Sequence, residues 1–508
     1  MSDHVELKNL VDVLSDRKDR RVVFYDKKRN ASVTFAELHA QITRAAQAIA
    51  SMGVAPGHCV GVIAENGCDA LLADLTLLKQ SCTTVHMPEG AASDMLKLVG
   101  HGRLDFVLTS ERYRHVLDRA DFAEVGKLSG LSVFKRTAAG DVLYAGLKDV
   151  SAVIFSSGTS GRIKKILVND VGVLYNAGVF FSALGAKPDD VFLIFLPLSN
   201  YQQKLLIYGC ILFGINVCLT DAANVLSALK AIKPTLFLAP PVFYESAWRV
   251  AHIPPPTSDA AGDVATVAER LRAYFGGRTR MMLSGMAPIA PEILRGFRDA
   301  NVPLYEAYGM TEYGPIAANL PARDRIGSVG RPLVEGSVSI GAGGEIIARS
   351  PYPLTRGYLD EPADEEAQVY RDAQRIATGD IGHFDEHGYL FIHGRKKETI
   401  VTSSGHKVHP QLVERAFYEL PFVNHAVLMG NGMAHLGLLI MVENLVAGAE
   451  QSIVAKINEL NDGVCASSPI RKWRLQTGKF TPEDGLLTRN LKLHRDNIFE
   501  KYQKLVFS

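Results

Sequence analysis

The sequence predicts an α/β protein in two parts: a large N-terminal domain, residues 1–394, and a small α+β domain, residues 395–508. The large part is read as parallel sheet in αβα layers, followed by a β-barrel-like subdomain. Three observations predict this. Strand-length runs that are almost wholly apolar recur between helical stretches, as in a parallel sheet covered on both faces. After about Gly327 the texture changes to short alternating strands with glycine turns, as in GSVSIGAGGEIIA and HFDEHGYLFIHGR. From Arg395 a compact tail carries strands and a helix of its own.

Taken in order, the first element is a hairpin of RVVFYD and SVTF around the polar KKRNA. Thr34 and Glu37 then have the spacing of a capping box, which opens a helix to about Met52 with Gly53 at its end. Leu38, Ile42 and Ile49 give that helix one apolar stripe. CVGVIA follows as a buried strand and GCDALLADLTLL as a helix. The pattern repeats with DFVLT (105–109), SAVIF (151–155), VFLIFL (191–196), INVCLT (215–220), TLFLAP (235–240) and MMLS (281–284). IPPPTSDAAGD at 253–263 is expected to be a surface loop. In the tail, HAVLMG and LGLLIMV are strands, with a helix near 450–460.

The bulk properties exclude several classes. At 508 residues, 47% of them hydrophobic, the chain has enough apolar surface for more than one core. Lys plus Arg number 55 against 54 acidic residues, so whole-chain charge points to no nucleic-acid or anionic-membrane partner. The six cysteines lack CxxC spacing and are expected as reduced, buried thiols. The polar start MSDHVELKNLVDVLSDRKDR does not read as a signal peptide, and no uninterrupted apolar run is of membrane-spanning length. A cytoplasmic location is the expectation.

The stretch SSGTSGRIKK, Ser156–Lys165, directly follows an apolar strand. Small residues let backbone N–H groups approach phosphate oxygens, hydroxyls donate further bonds, and lysine supplies charge. A solvated Ser/Gly turn is the lesser alternative for this stretch alone, and it is not a Walker A loop. It has companions: TyrGlyMetThrGlu at 308–312, ThrGlyAspIleGly at 378–382, GlyArgLysLysGluThrIle from 394, SerGlyHisLysVal at 404–408, and ThrArgAsnLeuLysLeuHisArg at 488–495. In this order and spacing the set resembles the adenylate-forming superfamily of acyl-CoA synthetases, peptide-synthetase adenylation domains and luciferases. The resemblance runs from about residue 20 to the end.

The resemblance implies ATP, Mg²⁺ and an acceptor thiol, either coenzyme A or the phosphopantetheine arm of an acyl carrier protein. Ser157, Thr159, Ser160 and Lys164 would hold the β- and γ-phosphates, and Thr311 a phosphate oxygen. Glu312 would hold Mg²⁺, a hard cation suited to carboxylate and phosphate oxygens. Ala287 and Pro288 would line the adenine site, and Tyr308 and Gly309 are further cofactor-binding candidates (Tyr308 as readily a core residue as a pocket wall). Asp380 would accept from the ribose hydroxyls, and Arg395 would lie beside that sugar. Lys492 would act at the reacting carboxylate and α-phosphate. Lys397 falls where this superfamily has the hinge of a mobile small domain, whose rotation brings Gly405 to the site for thioester formation.

Three departures stand out. The phosphate loop ends Ile163-Lys164-Lys165 rather than Pro-Lys-Gly, Asn200 stands where many relatives carry histidine, and Glu398 replaces an aspartate. Singly, Asp380 could be a turn residue, and Lys492 could share a solvated face with Arg489, Arg495 and Lys501. The apolar 205–213 stretch could line an acyl pocket or be a core helix. Activation of a carboxylic acid as acyl-AMP with transfer to coenzyme A is the leading reading. Loading of a carrier protein and a non-catalytic nucleotide-binding relative are the alternatives.

Overall fold

A computed structural model of the chain describes residues 6–26, 30–87, 104–117, 121–137, 147, 149–157, 163–253, 266–481, 483–487 and 493–508. The expected loop at 253–263 lies outside these from residue 254 onward. The chain divides into two compact units. One comprises Met1–Ile289, Arg295–Val338 and Ala348–Ala377, the other Ala290–Leu294, Ser339–Ile347 and Thr378–Ser508. The second unit therefore takes in residues before position 395, among them Asp380 and most of its strand.

The first unit holds two large sheets. One is nine-stranded, in the order Arg331–Pro332, Gly314–Ala318, Leu304–Met310, Met281–Ser284, Leu236–Ala239, Val191–Ile194, Asn216–Leu219, Arg21–Phe24, Ala31–Thr34. Its middle pairings are parallel and its outer ones antiparallel. The other is eight-stranded: Thr355–Leu359, Ile163–Asn169, Val150–Ser157, Thr83–His86, Cys59–Ile63, Phe106–Thr109, Leu131–Arg136, Phe122–Leu128. Val150–Ser157 pairs parallel on one side and antiparallel on the other. The all-apolar runs thus form the parallel centres, and the mixed edges carry no comparable signal in the sequence.

Local chemistry behaves as its residues dictate. The helix Phe35–Ser51 starts at a complete Thr34–Glu37 capping box and buries Leu38, Ile42 and Ile49. The polar-looking N-terminus has the spacing of one helical face at Leu7, Leu10, Val11 and Leu14, and all four are buried. Tyr201–Phe213 is a helix with an almost wholly buried apolar body, so this stretch is core. Asn200 is its cap, accepting from the Gln202 N–H at 3.2 Å. All six cysteines are free.

Two polar devices join the sheets of this unit. Asn66, just past Cys59–Ile63, donates to the carbonyls of Leu196 (2.7 Å) and Thr220 (3.1 Å) and accepts from Leu198 N–H (3.0 Å). It ties together the carboxyl ends of strands from both sheets, which is where open α/β sheets place ligands. Deeper inside, Lys204 lies 2.6 Å from Asp74, which also accepts from Tyr208 (2.7 Å) and meets His86 at 3.0 Å. Burial alone would raise the Asp74 pKa, but Lys204 and His86 hold its carboxyl below the usual range. Burial and Lys204 together keep His86 towards its neutral form.

The barrel-like texture expected after Gly327 takes the form of a four-stranded sheet, in the order Val338–Ile340, Glu345–Arg349, Arg375–Phe384, Leu390–Arg395. The tail adds the small pair Ile400–Val401 and Lys407–Val408 and a sheet of Val423–Met429, Leu436–Val442 and Ile470–Thr477. The predicted strands and the helix Ala449–Asp462 are present. The parallel strand Ile470–Thr477 and the helices Pro410–Phe417 and Arg495–Phe507 are additions to the sequence reading.

Candidate active site

In the first unit, Val150–Ser157 and Ile163–Asn169 form an antiparallel pair with Ser156 opposite Lys164, so the strands bracket residues 158–162. Thr159, Ser160 and Lys492 lie outside the described residues, and for Ser157 only the backbone is described. Lys164 stands at the start of the returning strand. Its Nζ is 3.5 Å from Glu365 Oε2, 3.8 Å from Glu361 Oε2 and 4.6 Å from the centroid of the Tyr358 ring. The neighbouring Lys165 pairs with Asp360 at 3.0 Å.

Tyr358 belongs to Thr355–Leu359, which pairs antiparallel with the Lys164 strand. Its hydroxyl donates to Glu312 Oε1 at 3.0 Å, and its backbone N–H donates to Glu366 Oε1 at 2.8 Å. On the same strand, the Thr355 hydroxyl donates to the Glu312 carbonyl and meets the Tyr370 hydroxyl at 2.7 Å. Tyr370 packs edge-on against Tyr358, with centroids 5.2 Å apart. Burial, reinforced by Glu312, pushes both phenols well above the usual tyrosine range, so both keep their protons.

Glu312 and Thr311 occupy the turn between the antiparallel strands Leu304–Met310 and Gly314–Ala318. Gly309 is required there, because a Cβ would come within 2.5 Å of the Gly314 carbonyl oxygen. Tyr308 and Gly309 precede this turn, and both are half-buried. Ala287 and Pro288 follow the adjacent parallel strand Met281–Ser284 and are exposed, with Met286 before them at φ +71°. The first unit thus collects Lys164, Thr311, Glu312, Tyr308, Gly309, Ala287 and Pro288 at strand ends of its two sheets.

In the second unit, Asp380 and Arg395 are cross-strand partners, joined by an Arg395 Nε–Asp380 Oδ1 contact of 2.8 Å. Asp380 is 4% exposed, and its N–H donates to the Thr378 hydroxyl, which in turn donates to the Ile346 carbonyl. Both residues expected at the ribose are therefore together. Lys397 is exposed in the turn Lys396–Glu398, and Gly405 is exposed beyond it.

Arg495 corrects one reading. It is not part of a solvated face: its guanidinium forks onto Glu414 at 2.8 and 2.7 Å and reaches Glu398 at 2.9 Å. Two carboxylates outweigh its burial and raise its pKa further above the arginine value. Together with the Leu487–Leu493 bridge, this anchors the segment that follows Lys492.

Sequence reasoning also missed Tyr358, Thr355, Glu361 and Glu365. The available signal was the cluster LTRGYLDEPADEE, a tyrosine followed closely by five acidic residues. Among the described residues, no group of three or more His, Cys, Asp or Glu is placed to hold a metal. A hard cation at Glu312 would accordingly take most of its ligands from phosphate and water. No described helix is long and apolar enough to cross a membrane.

The profile of the AMP-binding enzymes matches residues 12–359, and that of the AMP-binding enzyme C-terminal domain matches 397–507. A long-chain-fatty-acid–CoA ligase FadD15 of Mycobacterium bovis is 26% identical, covering 96% of this chain and 94% of its own length. The fold is similar to that of the anthranilate CoA ligase AuaEII in complex with anthranoyl-AMP, with TM-score 0.77, 18% identity and coverage of 99% and 98%. It is also similar to o-succinylbenzoate CoA synthetase of Bacillus subtilis with its acyl-adenylate, with TM-score 0.75, 18% identity and coverage of 96% and 97%.

Proposed function

Since the chain belongs to the AMP-binding enzyme family, we propose that it is an ATP-dependent acid–thiol ligase forming an acyl- or aryl-CoA. The observation that carries this is the meeting of Lys164 and Glu312 at Tyr358. A cation and a carboxylate from two different sheets converge at one ring, and the cation directly follows the Gly/Ser-rich sequence 156–162. One suits phosphate oxygen and the other suits a hard cation.

In the first step a carboxylate oxygen attacks the α-phosphorus of ATP, the bond to the bridging oxygen breaks, and pyrophosphate leaves. Lys164, with Ser157, Thr159 and Ser160, neutralises and orients the β- and γ-phosphates, and Thr311 bonds a phosphate oxygen. Glu312 would hold Mg²⁺, which when bound would supply charge neutralisation on the phosphates. Tyr308, Gly309, Ala287 and Pro288 line the adenine site, while Asp380 accepts from the ribose hydroxyls with Arg395 beside it. Lys492 places positive charge where the attack concentrates negative charge. In the second step the coenzyme A sulfur attacks the acyl carbon, AMP leaves, and the thiol proton passes to solvent. Lys397 is the pivot about which the small domain exchanges Lys492 for the face that carries Gly405.

The test is pyrophosphate release from ATP over fatty, aromatic and amino acids, with and without coenzyme A, alongside Lys492→Ala. The expected result is release driven by one acid class, faster with coenzyme A, and silent in the variant. Turnover that resumes only with a carrier protein would replace coenzyme A as acceptor. ATP binding without release for any acid would overturn the ligase reading.

A further inference from the structure

Tyr358 touches both halves of the proposed phosphate site with different parts of one side chain. Its ring face lies 4.6 Å from the Lys164 ammonium, and its hydroxyl donates to the Glu312 carboxylate at 3.0 Å. Tyr358 is held through its ring and its backbone. Tyr370 packs on its edge at 5.2 Å, Glu366 receives its backbone N–H, and its strand is hydrogen-bonded to the strand of Lys164. Thr355, three residues earlier on that strand, grips the backbone of Glu312 as well. The acidic residues Glu361 and Glu365 also compete for Lys164, at 3.8 and 3.5 Å.

We propose that Tyr358 is a positioning residue that fixes the phosphate lysine through its ring and the cation-binding carboxylate through its hydroxyl. The proposal rests on the nucleotide-site reading above. It divides one side chain into two separable duties. The ring offers its negative face to an ammonium, an attraction that survives loss of the hydroxyl. The hydroxyl leaves one carboxylate oxygen of Glu312 committed and aims the group as a whole, so its loss acts only on the cation.

The experiment is calorimetric titration of the full chain with ATP, without acid so that no turnover occurs, once in EDTA and once in excess Mg²⁺. Tyr358→Phe should bind ATP in EDTA as the parent does and bind Mg²⁺–ATP about 5-fold more weakly. Tyr358→Leu, which removes both duties, should weaken binding in both conditions. A residue that only supports the fold would shift both conditions equally in Tyr358→Phe. Equal shifts, or Mg²⁺–ATP binding by Tyr358→Phe within about 2-fold of the parent, would overturn the proposal. Glu312→Gln and Lys164→Gln separate the two levels. If they lose Mg²⁺–ATP affinity while Tyr358→Phe does not, only Tyr358 is misassigned. If they too bind like the parent, the nucleotide-site reading itself falls.

Discussion

The ammonium of Lys204 lies 2.6 Å from the carboxylate of Asp74, and both side chains are 2% exposed. A charge pair this deep is held by more than Coulomb attraction. Tyr208, His86 and Thr84 fill the remaining bonding directions, Thr84 accepting from Lys204 at 3.2 Å. Removing one partner leaves the other buried and bare. Lys204→Met should therefore lower unfolding stability by about 3–5 kcal/mol. The double variant with Asp74→Leu should be more stable than Lys204→Met alone. Urea denaturation of both variants measures this.

Lys164 is shared among Glu361, Glu365 and the Tyr358 ring, and an incoming phosphate must draw it from the carboxylates. Glu365 is the more exposed of the two, so its hold is weak. Glu365→Gln should tighten ATP binding about 2- to 5-fold, the scale of one surface ion pair. Titration with ATP at low salt would show it, and the gain should shrink as salt rises.

Gly172 begins a buried contact between the helix Asp170–Ala183 and the chain entering the Tyr358 strand. A Cβ at this position would stand 1.9 Å from the Pro353 carbonyl oxygen, which is backbone and cannot swing aside. Gly172→Ala should cost about 1–3 kcal/mol by overpacking. It should weaken ATP binding as well, since the displaced segment leads directly to Thr355 and Tyr358. Thermal melting and ATP titration of the same preparation test the two effects together.

In the second unit, His383 Nδ1 and His393 Nε2 are 2.8 Å apart, and the His393 ring stacks against His409 with centroids 6.2 Å apart. Burial, His383 and His409 lower the His393 pKa, while burial and Lys407 lower that of His409. A lowered histidine is neutral in the folded chain, so its contribution is fully present above the unfolded value near 6.5. It is lost as pH falls through the folded value. Acidification below about pH 6.5 should therefore destabilise this unit, and His393→Gln should be less acid-sensitive. Trp473 reports the unit by fluorescence once the other tryptophan, Trp248, is replaced by phenylalanine.

Elements written in consecutive residues were legible in the sequence. The Thr34–Glu37 box predicted its helix start, and the all-apolar strands predicted the parallel centres of both sheets. Features made by distant segments were not. Nothing near Lys164 points to Tyr358, because the two meet through a strand pairing that joins positions some 190 residues apart. Asp74 and Lys204 look like solitary charges in apolar helices until the helices are packed together. Arg495 reads as solvated because its partner Glu414 lies 81 residues earlier. Asp380 and Arg395 belong to separate motifs in the sequence, and only the folded hairpin brings the two side chains into contact.

Among the described residues the hairpin Arg21–Phe24 and Ala31–Thr34 joins its sheet through Asn216–Leu219, with Arg21 N–H bonded to Asn216 across 195 positions. During synthesis at about 5–20 residues per second, this ribbon emerges roughly 10–40 s before its partner exists. It waits outside the ribosome as a short, twisted pair that cannot be stable alone. The nascent chain must be kept from strand-to-strand aggregation over that interval, so the yield of soluble protein should depend on translation speed and on chaperones that shield the first 200 or so residues.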